Sequence, residues 1–120
     1  MTKTENSKHY DLEDRTLEFA RRVREFIRMV PKNLISNEDS RQVVRSSGSV
    51  GANYIEANEA LSKKDFLMRI KICRKEAKES RYWLRLLNQP DVKPKALRKH
   101  LENESQELTN IFGAILRKSQ

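Results

Sequence analysis

The placement of its helix breakers constrains this chain more than any other feature. Pro31, Pro90 and Pro94 are the only prolines in 120 residues, and Gly48, Gly51 and Gly113 the only glycines. A proline inside a helix removes a backbone donor and clashes with the preceding turn. So few breaks leave too little punctuation for a many-turned β-sandwich or barrel, and they favour long helices. Hydrophobic residues are 37% of the chain and charged residues 35%. The apolar share is low for a compact monomer, but the apolar residues recur at helical spacing, which argues against wholesale disorder. A single Cys excludes an intrachain disulfide and a Cys-rich zinc site. No apolar run approaches the roughly 18 residues of a membrane span. The stretch Met1 to Asp11 is polar and shows no apolar core of a signal peptide. The expectation is a soluble, cytoplasmic, single-domain protein with no membrane partner.

Residues 1–10 read as a disordered polar lead, and 11–118 as four helices at about 11–30, 37–61, 63–88 and 94–118. Asp11, Glu13 and Asp14 suit the positive end of the first helix dipole. At about 100° per residue, Leu12, Phe19, Ala20, Val23, Phe26, Ile27 and Val30 fall on one face. Pro31-Lys32-Asn33 stops that helix. The second opens at Ser36 or Asn37 and carries Val43, Val50, Tyr54, Ala57 and Leu61 on one side. Its middle, Ser46 to Asn53, is built of small residues. Two interior glycines cost about 1 kcal/mol each against Ala, so close approach of a neighbouring helix is expected there, a loop being the alternative. Ser62 to Asp65 resembles a capping box opening the third helix, and Asn88, Gln89 and Pro90 close it. Pro94 suits the first turn of the fourth, which carries Leu97, Leu101, Leu108, Ile111, Phe112, Ile115 and Leu116 on one stripe. The expected fold class is all-α, an antiparallel up-down-up-down four-helix bundle.

Net charge is +8, and the third helix carries most of the imbalance: nine basic and three acidic residues between Ser62 and Asn88. Phe66, Ile70, Cys73, Ala77, Leu84 and Leu87 form its core stripe. Lys63, Lys64, Lys71, Arg74, Lys75, Lys78, Arg81 and Arg85 lie beside it. Such a cluster on one helix is the electrostatic footprint of a nucleic-acid binder, reading phosphate rather than sequence. A solvated face that keeps the chain soluble is the competing reading. Lys71, Arg74, Lys75, Lys78, Arg81 and Arg85 are the candidate nucleic-acid residues, with Arg21, Arg22 and Arg28 of the first helix as an extension. A third strip holds Met68, Ile72, Trp83 and Leu86. One bundle core needs one stripe per helix, so this strip is expected at an oligomer interface, a central helix whose Trp covers a bundle edge being the alternative.

Catalytic chemistry finds little support. His9 and His100 are the only histidines, and neither follows a Glu by three, as a di-iron bundle site requires. Gly48-Ser49-Val50-Gly51 lacks the Lys of a phosphate-binding loop. No enzyme activity, cofactor or metal is expected. Arg45, Ser49, Asn53, Glu56, Glu76 and Glu79 are expected to form a structural polar cluster between helices two and three, packed through Gly48 and Gly51.

Arg45, the run Ser49-Val50-Gly51-Ala52-Asn53-Tyr54-Ile55-Glu56-Ala57, then Asp65-Phe66, then Glu76 and Glu79 before Leu84 resemble the 23S rRNA intervening-sequence proteins. That family's second helix reads roughly Ser-Ile-Pro-x-Asn-Ile-Ala-Glu-Gly. Gly51 stands where Pro is common and Ala57 where Gly is common, both small replacements. The resemblance covers most of residues 11–118. It implies an antiparallel four-helix bundle assembled as a ring-shaped homopentamer, with no established catalytic residues and a largely unknown role. A related group includes the accessory protein of diversity-generating retroelements, which is thought to contact nucleic acid and a reverse transcriptase. The expectation is therefore a non-enzymatic homo-oligomer with rRNA or another nucleic acid as partner. The second reading is a scaffold for an acidic or RNA-bound protein partner.

Overall fold

The computed structural model describes the backbone of residues 3–120 and the side chains of 12–120. It contains four helices in chain order: α1 (Lys3–Ile27), α2 (Leu34–Asn58), α3 (Lys63–Leu86) and α4 (Lys95–Ser119). Met1 and Thr2 of the expected polar lead lie outside the described residues. α1 runs from Lys3, ahead of the Asp11 expected from dipole charge alone.

Each helix packs on its neighbours in sequence, and α1 closes the square against α4. The pairings run in opposite directions. Ser46 meets Ser80 and Val50 meets Cys73 between α2 and α3. Leu84 meets Arg98 and Arg81 meets Glu102 between α3 and α4. The result is the expected antiparallel four-helix bundle, with no strand among the described residues.

The core is what helical periodicity predicts. Phe19, Val23, Phe26, Val43, Val50, Ile70, Cys73, Ala77, Leu84, Leu101, Leu108 and Phe112 are all buried. A fully buried Phe or Leu contributes about 1.5–3 kcal/mol of transfer free energy. The helix ends differ from expectation for local reasons. α2 starts at Leu34 because Asn33 and Ser36 form a capping box: Ser36 N donates to Asn33 Oδ1 at 2.9 Å, and Asn33 N donates to Ser36 Oγ at 3.2 Å. The helix then ends at Asn58, so Leu61, expected in the core, sits fully exposed in the following turn. Ser62 caps α3 by accepting from Asp65 N at 3.0 Å, as its spacing predicts. Pro94 is the N-cap of α4 rather than a first-turn residue.

α2 is continuous through Gly48 and Gly51, so the loop alternative falls away. The helix approaching there is α1, not α3. A Cβ on Gly51 would lie 2.9 Å from Thr16 Oγ1, and one on Gly48 would lie 3.2 Å from Arg24 Nη2. α3 packs on the adjoining side of α2, where buried Ser46 and Ser80 share a hydrogen bond of 2.7 Å. Cys73 Sγ donates to Val50 O at 3.4 Å there, and burial pushes the thiol up to about 12.

Candidate functional site

The outer face of α3 holds the basic stripe as a continuous strip. At about 100° per residue, Lys71, Arg74, Lys75, Lys78 and Arg85 fall within roughly a third of a turn. Lys71, Arg74, Lys75 and Lys78 line a hollow of about 490 Å³ with Glu79, Tyr82 and Leu116 of α4. The hollow is electropositive because its acid is committed elsewhere. Glu79 pairs with Arg45 of α2 and accepts from Trp83 Nε1 at 3.3 Å.

Gly113, the only glycine of α4, brings a further cation to this groove. Measured from the position a Cβ would take on Gly113, Arg117 Nη1 lies 3.5 Å away and Arg74 Nε 3.7 Å away. Two guanidinium groups from different helices thus converge over one missing side chain. Among the described residues, none of Lys71, Arg74, Lys75, Lys78 or Arg117 forms an ion pair. Converging cations without a counter-charge raise the local positive potential.

A second hollow, of about 520 Å³, lies further along the same groove. It is lined by Tyr82, Arg85, Leu86 and Asn88 of the α3 end and by Arg98, Lys99 and Glu102 of α4. Arg98 is buried and donates to Glu102 Oε2 at 2.7 Å and to Leu84 O at 3.3 Å, while its Nε has no hydrogen-bond partner. Burial pushes the Glu102 carboxyl up, but the Arg98 hydrogen bond and the charges of Lys99, Arg98 and Arg81 outweigh it, leaving the group below its ordinary value. Arg81, expected on the free basic face, is half-buried and lies 3.8 Å from Glu102. It belongs to this pairing because its helical position turns it toward α4.

The α1 arginines do not extend the strip. α1 packs its backbone against α2 and α4 and lies diagonally across the bundle from α3, so Arg21, Arg22 and Arg28 sit on a separate helix away from the α3–α4 groove. Arg21 lies 3.5 Å from Glu18 and lines a different hollow, of about 410 Å³, between α1 and α2.

The expected polar cluster divides. Arg45 reaches Glu76 at 3.4 Å and also bonds Glu79. Asn53 Nδ2 donates to Ser49 Oγ at 3.0 Å, and its Oδ1 accepts from Arg69 Nη1 at 3.1 Å. Glu56 is exposed and joins neither group. At about 100° per residue it falls between the α1-facing Gly51 and the α3-facing Asn53, on the side of α2 away from the core. Of the expected interface strip, Met68 and Leu86 are exposed, while Ile72 and Trp83 are half-buried. Leu34, 87% exposed, and Ile35, 73% exposed, add apolar surface at the start of α2.

Sequence reasoning by charge missed Tyr82, Arg117 and Arg98. Tyr82 stands four residues after Lys78 and three before Arg85, inside the basic strip, and that spacing was its available signal. Arg117 stands four residues after Gly113 on α4, a spacing the sequence shows, but the arrival of Arg74 at the same gap had no signal, because it depends on the α3–α4 register. Among the described residues, no three His, Cys, Asp or Glu side chains gather closely enough to hold a metal ion, and no helix is long and apolar enough to cross a membrane.

Residues 8–114 match the family described as 23S rRNA-intervening sequence protein. A crystal structure of a protein with unknown function from the S23 ribosomal protein family of Bacteroides thetaiotaomicron VPI-5482 is similar, with 33% identity and a TM-score of 0.74. The match covers 87% of this chain and 96% of that one. No curated protein matches the chain.

Proposed function

Because the chain belongs to the 23S rRNA-intervening sequence protein family, we propose that it is a non-enzymatic nucleic-acid-binding bundle that grips structured RNA or DNA through phosphate contacts. The convergence of Arg74 and Arg117 over Gly113 carries this reading. Lys71, Lys75 and Lys78 stand around the same hollow. Like charges held together repel, and a phosphate placed among them removes that repulsion while releasing its counterions. The protein supplies position and charge. Nothing in the strip resembles a nucleophile–base pair.

The chain acts in this reading as a homo-oligomer. Its apolar surface at Met68, Leu86, Leu34 and Ile35 supports assembly, and the ring-shaped pentamer implied by the family resemblance would repeat the basic groove around a common axis. Charge at each groove then adds across subunits, raising avidity without new contacts.

The test is the double charge reversal Lys71→Glu with Lys78→Glu. Both residues are exposed and outside the core, so the helical circular dichroism and the mass by light scattering are expected to hold. Binding of a fluorescent structured 23S rRNA fragment is expected to weaken by at least about a hundredfold, on the order of 1.4 kcal/mol per lost phosphate contact. Wild-type affinity in the reversed variant would exclude this groove. A wild type that binds no RNA but retains an acidic protein would favour the scaffold reading.

A further inference from the structure

Tyr82 is the one side chain that lines both basic hollows of the α3–α4 groove. It is 57% exposed, unusual company for four Lys and Arg residues on a surface strip. Its ring is not loose. Trp83 packs edge-on against it, with centroids 5.1 Å apart and planes at 76°. Trp83 is in turn half-buried and donates to Glu79, which Arg45 of α2 holds. The aromatic is therefore braced from α2 through three side chains, and it stands exposed between two positive hollows. Lys78 and Arg85 flank it at i−4 and i+3, about 10 Å apart along an axis that rises about 1.5 Å per residue.

A duplex offers this arrangement little. Its bases are stacked on one another and its outer surface is phosphate and sugar, so an aromatic in the middle of the contact stays unused. An unpaired nucleotide uses all three parts. Its base presents a π-face to the ring, and its two flanking phosphates reach the cations on either side. Resting on the nucleic-acid reading above, we infer that Tyr82 is a stacking platform, and that the ligand of this groove is a single-stranded or unpaired stretch with its phosphates in the two hollows.

The experiment compares a fluorescent oligouridylate with a blunt RNA duplex of equal strand length, using the full chain at fixed salt. Four proteins are titrated: wild type, Tyr82→Phe, Tyr82→Ala and Tyr82→Leu. The Leu variant keeps apolar bulk against Trp83 but has no π-face, which guards against an Ala variant that simply packs badly. Wild type and Tyr82→Phe are expected to bind the single strand alike and to prefer it to the duplex. Tyr82→Ala and Tyr82→Leu are expected to bind the single strand about tenfold more weakly, with duplex affinity unchanged. Equal affinity of all four proteins for the single strand would overturn the stacking role and leave the phosphate reading standing. A parallel loss on both probes would overturn it as well, since only a base-specific contact separates them. No binding to either probe by wild type would overturn both readings.

Discussion

Gly51 of α2 lies so close to Thr16 of α1 that a single methyl group on Gly51 would sit 2.9 Å from the Thr16 hydroxyl. Thr16 cannot swing aside. It is buried, its side chain is stiff at χ1, and its hydroxyl donates to Leu12 O at 2.9 Å. Gly48, one helical turn earlier, faces only the end of the Arg24 guanidinium, 3.2 Å away. Gly51→Ala must therefore push α1 and α2 apart, at about 1–3 kcal/mol, against which helix propensity returns about 1 kcal/mol. Gly48→Ala needs only a shift of a flexible tip and gains that same propensity. Thermal melts are expected to show the first variant below wild type and the second at or above it.

The division of the polar cluster predicts a different pair. Arg45→Ala breaks the link to Glu76 and Glu79, and because Arg45 is half exposed the loss is about 1 kcal/mol or less. Glu56→Ala, at an exposed position without a partner among the described residues, is expected within about 0.5 kcal/mol of wild type. Urea titrations of the two variants check the order. A Glu56→Ala loss larger than that of Arg45→Ala would contradict the arrangement.

Periodicity made much of this fold legible and little of its lateral contacts. Phe19, Val23, Ile70 and Leu108 fall on their core stripes because a helix repeats every few residues whatever it packs against. The small residues of α2 signalled a close neighbour correctly. They could not say whether that neighbour was α1 or α3, since a stripe reports which face is buried and not by whom. Leu61 was misplaced because α2 ends at Asn58 with Glu59 as its C-cap, short of the end that apolar spacing alone suggests. Among the candidate residues, Lys71, Arg74, Lys75 and Lys78 do share one hollow, while Arg81 is drawn to Glu102 and the α1 arginines lie on another side. Tyr82 escaped a search conducted by charge.

The Arg98–Glu102 pair sets an acid dependence. The folded Glu102 carboxyl lies below its ordinary value, so its contribution to stability is fully present above the ordinary carboxylate range. It is lost as pH falls through the folded value. Glu102→Gln is expected to be about 1–3 kcal/mol less stable at neutral pH, because Arg98 loses its charged acceptor. It is expected to show a shallower loss of stability on acidification than wild type. Melting temperatures of both proteins across the acid range check both effects.

Cys73 is fully buried, and its thiol is pushed up to about 12 by that burial. A thiol rather than a thiolate at neutral pH, without access to reagent, is inert. A thiol-reactive disulfide reagent is expected to label the chain only as denaturant unfolds it, so that labelling tracks the unfolding transition. Immediate stoichiometric labelling of the native protein would place Cys73 outside the core.

The proposed phosphate-binding role of the α3–α4 groove is tested most directly by titrating wild-type protein with a fluorescent structured 23S rRNA fragment, and with an unrelated hairpin of equal length, across a salt series. Four or five cations meeting phosphate predict that log affinity falls with log salt at a slope of about −3 or steeper. Both RNAs are expected to show that slope, because the contacts are to backbone. Affinity that is flat with salt, or no binding to either RNA at physiological ionic strength, would contradict the account.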